Sequence, residues 1–104
     1  LQARGGIVLG KTNVPLLGLG NDTTNPLYGT TRNPWRLTHS TAGSSGGAAA
    51  ALAAGMAWLS HGSDLGGSIR GPSSMCGTTG LRPGPGRLAQ GGIGTARAGH
   101  ELLS

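Results

Sequence analysis

The chain has 104 residues, with 22 glycines, 6 prolines, no phenylalanine and three aromatic side chains, Tyr28, Trp35 and Trp58. Its formal charge of +5 comes from eight Lys and Arg against three Asp and Glu. The charges stand singly and the aromatics do not interleave with them, which argues against the basic, stacking surface of a nucleic-acid binder. The longest apolar stretch, Ala48–Leu59, is broken by Gly55 and falls short of the ~20 residues that a membrane-spanning helix needs.

Glycine and alanine in this proportion return little buried apolar area for the backbone entropy they lose. The chain is therefore expected to pack backbone against backbone and to be a segment of a larger protein. Leu1 in place of Met agrees with a truncated segment. The single Cys76 excludes an internal disulfide and points to a reducing, cytoplasmic compartment. No signal peptide is visible, and truncation would have removed one.

Gly6–Gly10 (GIVLG) is a short β-branched run between glycines and reads as a buried strand, with Lys11-Thr12-Asn13 where the strand runs out into a loop. Gly18–Ala42 is rich in Gly, Asn, Thr and Pro and reads as a long loop, with Asn25-Pro26 and Asn33-Pro34 as turn initiators. Ser44-Ser45-Gly46-Gly47 then opens an alanine-dense helix over Ala48–Ala54, with a serine as N-cap and Gly55 at the C-terminus. Met56–Ser60 predicts a second strand, His61–Gly67 a glycine-rich turn, and Ser68-Ile69-Arg70 the start of a short helix toward Cys76. Gly80–Pro83 reads as a brief strand closed by proline; after Gly86 no pattern is legible. Strand, helix, strand in this order predicts an α/β arrangement.

Three features suggest chemistry. Lys11 follows a predicted buried strand, and two serine-glycine loops, Gly43–Gly47 and Gly66–Ser68, are separated by one helix and one strand. A serine hydroxyl needs a neighbouring base to become a nucleophile. Lysine can be that base where burial disfavours its ammonium form, and Ser-Lys arrangements are known variants of triad logic. Glycines let backbone N–H groups converge on an oxyanion, so Leu65-Gly66-Gly67-Ser68 could present several donors to a carbonyl bound beside Ser68, each worth ~3 kcal/mol in the transition state.

Gly43–Ala50 (GSSGGAAA), Gly62–Arg70 (GSDLGGSIR), Cys76-Gly77 and Gly80–Pro83 (GLRP), with Lys11–Pro15 (KTNVP) and Thr31–Trp35 (TRNPW) upstream, together resemble the amidase signature family. The resemblance runs from about Gly5 to Arg87, with the motifs in the family's order. It implies that 1–104 is a partial amidase signature domain, cut from an α/β fold with a mixed central β-sheet flanked by helices. It also implies amide hydrolysis through an acyl-enzyme, with a small-molecule amide as substrate and no metal or organic cofactor. In a Ser–Ser–Lys triad, Ser68 matches the nucleophile, Ser44 the bridging serine, whose peptide bond is cis in the family, and Lys11 the base. Leu65, Gly66, Gly67 and Ser68 match the oxyanion loop, and Ser45, Asp64 and Arg70 match supporting positions, with an Asp64–Arg70 ion pair expected.

The sequence departs from the family pattern at Thr41-Ala42, where Pro-Gly is usual, and at Leu16, Arg36 and Gly84. A homodimeric parent, one component of a transamidase that passes ammonia to a charged tRNA, and an inactive remnant all stay open. Other features read as bland. Gly43–Ala48 lacks the Gly-Lys-Ser/Thr ending of a phosphate loop, and Gly18-Leu19-Gly20 lacks the third glycine of a dinucleotide fingerprint. Cys76 reads as a buried structural residue. His39, His61 and His100 lack metal-ligand spacing and read as structural or surface residues. Trp35 and Trp58 read as packing residues and Met56 as core.

Overall fold

The computed structural model describes residues 2–84 and 87–88. They form an α/β unit of two helices and two small antiparallel sheets. The first sheet pairs β1 (Thr24–Asn25) with β2 (Gly29–Thr30); the second pairs β3 (Arg32–Asn33) with β4 (Arg36–Ser40). Helix α1 spans Gly46–Ala53 and packs against α2, Arg70–Cys76.

Both hairpins grow from the Asn-Pro pairs. The Asn25 Oδ1 accepts the Leu27 N–H at 2.9 Å, and the Asn33 Oδ1 accepts the Trp35 N–H at 3.0 Å. Each side chain thereby closes a tight turn two residues on. Asn33 also ties its hairpin to the end of α2, donating to the Met75 carbonyl at 2.7 Å, while the Trp35 indole Nε1 donates to the Cys76 carbonyl at 2.7 Å. Gly18–Ala42 is thus two hairpins rather than a long loop. Three of the four strands have two residues and β4 is exposed along most of its length, which leaves no apolar alternation for sequence periodicity to register.

Helix α1 follows the alanine run, and its end is closed as expected. Gly55 takes φ +70 and the Met56 N–H returns to the Ala51 carbonyl at 2.9 Å. The N-terminal cap is not the expected one. Ser45 occupies the position, but its hydroxyl is engaged with the backbone of Ser63, donating to the carbonyl at 3.3 Å and accepting the N–H at 3.2 Å. The Gly46 N–H donates instead to the Thr23 hydroxyl at 3.1 Å, and Thr23 Oγ1 donates onward to the Ala42 carbonyl at 2.9 Å. A fully buried threonine from the upstream hairpin therefore caps the helix.

The interior is built of small groups: Ala48, Ala49, Ala50, Pro72, Cys76, Thr23, Thr41 and Asp64. Close backbone approach takes the place of large apolar side chains. A Cβ at Gly62 would stand 2.8 Å from Ser45 Oγ and 3.0 Å from Ile69 Cγ1, and one at Gly43 would stand 2.7 Å from the Gly20 carbonyl oxygen.

Three predicted strands are not strands. Gly6–Gly10, Met56–Ser60 and Gly80–Pro83 have no ladder partner among the described residues. A β-rich run without a neighbour leaves its N–H and C=O groups unpaired and its apolar faces open. Ile7 is accordingly 86% exposed, and Met56 and Trp58 are exposed rather than packed. Cys76 is buried, and burial pushes its thiol pKa up. Trp35 makes its indole bond while remaining largely exposed. His39 and His61 lie at the surface; His100 lies outside the described residues. Among the described residues, no helix is long and apolar enough to cross a membrane.

Candidate active site

The two serine loops meet through their backbones. The Ser45 N–H donates to the Ser68 carbonyl at 3.1 Å, joining the turn before α1 to the turn before α2. Ser44 is buried, and the Gly43–Ser44 peptide bond is cis, as the resemblance implies. Ser68 is half-buried beside it in the chain's second glycine loop.

Asp64 holds that second loop. Its carboxylate is fully buried. Oδ1 accepts the Gly67 N–H at 2.7 Å and Arg70 Nη2 at 3.0 Å. Oδ2 accepts the Ile69 N–H at 3.1 Å, the Arg70 N–H at 3.2 Å and Arg70 Nε at 3.0 Å. Arg82 Nε stands 3.7 Å from Oδ1. The expected Asp64–Arg70 ion pair is therefore present and two-pronged. The Arg70 guanidinium holds the Asp64 carboxyl well below the usual carboxylate range. The backbone N–H groups of Arg70, Ile69 and Gly67 act in the same direction, against the opposing effect of burial. Asp64 in turn raises the Arg70 pKa.

Asp64 engages the N–H groups at 67, 69 and 70 but leaves the one at 68. Among the described residues, the Leu65, Gly66 and Ser68 N–H groups have no acceptor. Gly67 takes φ +125, a conformation that favours glycine; its N–H, matched to the oxyanion loop by sequence, is committed to Asp64 in this conformation.

Lys11 comes from a separate strap. The following Asn13 crosses α1 at Gly47, where a Cβ would stand 2.6 Å from the Asn13 nitrogen. This brings the Lys11–Asn13 segment to the helix that begins beside Ser44. The Lys11 side chain itself is exposed and has no ion-pair partner among the described residues. The burial expected for it is not supplied by them.

Sequence reasoning missed several residues that build this site. Thr23 caps α1, and Ser40 donates to Asp22 Oδ1 while accepting the Ala42 N–H at 2.8 Å. Thr41-Ala42 was legible as a departure from the family pattern, and Ala42 takes φ +58, a conformation that favours glycine.

The family model named Amidase matches residues 1–102. The chain belongs to the amidase family. Among curated amidase relatives, it is 52% identical to a glutamyl-tRNA(Gln) amidotransferase component of Alkaliphilus metalliredigens (strain QYMF), covering 89% of this chain and 19% of that protein. It is 45% identical to the 6-aminohexanoate-cyclic-dimer hydrolase of Paenarthrobacter ureafaciens, covering 99% of this chain and 22% of the hydrolase. A solved structure of 6-aminohexanoate cyclic dimer hydrolase complexed with substrate superposes with a TM-score of 0.71 at 47% identity, covering 73% of this chain and 16% of that one. The chain thus spans about a fifth of the length of the curated relatives it matches.

Proposed function

We propose that the protein carrying this amidase segment hydrolyses carbon–nitrogen amide bonds by acyl transfer through Ser68. The observation that carries the proposal is the pattern of N–H groups around that residue: Asp64 takes those at 67, 69 and 70, and those of 65, 66 and 68 remain without acceptors among the described residues. An amide oxygen seated against these three donors would put its carbonyl carbon within reach of Ser68 Oγ.

In this mechanism Ser68 Oγ attacks the carbonyl carbon, and its proton passes to Ser44 Oγ as the Ser44 proton passes to Lys11 Nζ. The Leu65, Gly66 and Ser68 N–H groups hold the oxyanion, while Gly67 stays with Asp64. The C–N bond then breaks, and the proton returns through Ser44 to the leaving amine. Water, deprotonated along the same route, releases the acid from Ser68. Ser45, Asp64 and Arg70 support the two loops. This chemistry requires no metal or organic cofactor. The substrate is a small-molecule amide, and the free, buried Cys76 supports a cytoplasmic setting.

The remaining length of the protein would supply a mixed central sheet flanked by helices. Gly6–Gly10 and Met56–Ser60 would be strands in it, covering Ile7, Val8, Leu9 and Trp58 and burying Lys11. A serine-directed phosphonate tests the proposal on the full-length protein. Adduct at Ser68, lost in Ser68→Ala and slowed in Lys11→Ala and Ser44→Ala, is expected. An adduct elsewhere, or none in a protein that hydrolyses amides, would overturn it.

A second reading is one component of a transamidase, favoured by the 52% identity to an amidotransferase component. In that case the full-length protein would release ammonia from an amide for transfer to a charged tRNA and would need partner proteins. Genes for such partners beside its own would favour the transamidase. Amide turnover by the protein alone, with no such neighbours, would favour the hydrolase.

A further inference from the structure

We propose that Asn13 is a positioning residue that sets the place of Lys11 relative to the Ser44 loop, an inference that rests on the Ser68–Ser44–Lys11 chemistry above. The Asn13 amide Nδ2 donates to two acceptors of the first hairpin, the Gly29 carbonyl at 3.1 Å and the Thr31 hydroxyl at 3.0 Å. The Gly29 carbonyl can only accept, so it fixes which way the amide faces. One residue on, the Val14 carbonyl accepts Asn25 Nδ2 at 3.0 Å, so the strap is pinned to the hairpin at two successive residues.

The opposite side of Asn13 lies against α1. A Cβ at Gly47 would stand 2.6 Å from the Asn13 nitrogen and 3.0 Å from its carbonyl carbon, so only glycine admits the strap this close. Gly47 lies in the first turn of α1, three residues beyond Ser44. The same hairpin caps that helix through Thr23, whose carbonyl also accepts the Thr31 N–H at 2.9 Å. Asn13 is therefore held between the element that caps the Ser44 loop and the helix that the loop opens.

Lys11 is two residues from this clamp, and two residues reach at most about 7 Å. The Lys11 side chain makes no ion pair among the described residues. Its backbone position thus follows from Asn13, and with the clamp released the Lys11 amine would sample the space around Ser44 instead of holding one approach. Misplacement by about 1 Å can lower a catalytic rate roughly a hundredfold.

The test is a double-mutant cycle in the full-length protein, read as the rate of Ser68 phosphonylation by a serine-directed phosphonate and as kcat and KM for an amide, with Tm measured alongside. Asn13→Ala is expected to slow phosphonylation and kcat roughly tenfold to a hundredfold with KM within about twofold, and to add nothing in the Lys11→Ala background. Thr31→Val, which keeps the shape but removes one acceptor, is expected to give a smaller loss with the same disappearance in Lys11→Ala. It also serves if Asn13→Ala does not fold. An equal loss in both backgrounds would show Asn13 to be structural only and would overturn the inference, as would wild-type rates in Asn13→Ala. Wild-type phosphonylation in Lys11→Ala alone would instead overturn the role of Lys11, and with it the chemistry on which the inference rests.

Discussion

Asp64→Asn changes one atom of the side chain that holds the loop carrying Ser68, and the structure fixes what that change meets. Each carboxylate oxygen faces only donors: Gly67 N–H and Arg70 Nη2 at Oδ1, and Ile69 N–H, Arg70 N–H and Arg70 Nε at Oδ2. Whichever way the asparagine turns, its NH2 opposes at least two N–H groups, and at least one backbone N–H loses its acceptor. An unsatisfied buried donor costs about 1–3 kcal/mol. Solvent screens the half-exposed Arg70, so the weakened ion pair adds little to that cost.

The pH dependence gives the sharper test. Arg70, with the backbone N–H groups, lowers the folded-state pKa of Asp64 below its unfolded value of about 4. The stabilisation is therefore fully present above about pH 4 and is lost as pH falls from there toward the folded pKa, by at most about 1.4 kcal/mol per pH unit. Urea unfolding of the full-length wild type and Asp64→Asn across pH 7 to 3 should show the wild type more stable at pH 7 and the difference shrinking below pH 4. A difference that stays constant with pH, or no difference at pH 7, would refute the role given to this carboxylate.

Three further substitutions probe the entry to α1 around Ser44. Ala42→Gly replaces a residue at φ +58 with one that adopts this conformation freely. The left-handed region costs alanine ~1–2 kcal/mol, and glycine's unfolded-state freedom offsets ~0.4–1 of it. A net gain of about 0.5–1 kcal/mol in chemical denaturation is expected, and a loss would contradict the assigned backbone. Thr23→Val keeps the shape but removes the hydroxyl that caps α1 and donates to the Ala42 carbonyl. A loss of about 1–2 kcal/mol is expected by the same assay, whereas Ser45→Ala should show no loss attributable to a helix cap.

What the sequence makes legible here follows from the range of the interactions. The alanine helix, the Gly55 terminus, the Asn-Pro turns and the Asp64–Arg70 pair all depend on residues within about six positions of one another, and all are present. Gly6–Gly10, Met56–Ser60 and Gly80–Pro83 carry strand composition, but a strand also needs a neighbour, and none of the described residues provides one. Thr23 capping α1 and Asn13 bridging a hairpin and a helix join residues 16 to 34 positions apart (Asn13–Gly29 to Asn13–Gly47). Thr23 inside the Gly-, Asn- and Thr-rich stretch, and Asn13 just ahead of it, give no local sign of such partners. For the site, the motif order marks Lys11, Ser44 and Ser68, while the selective engagement of N–H groups around Ser68 emerges only once Asp64 is folded against them.

Trapping the acyl-enzyme tests the role of Ser68 most directly. Full-length protein mixed with an amide substrate, quenched in acid during the first turnover and mapped by peptide mass, should carry the substrate's acyl group on Ser68, and Ser68→Ala should carry none. An acyl group on a different residue, or turnover with no covalent adduct at any quench time despite a burst of released amine, would contradict it.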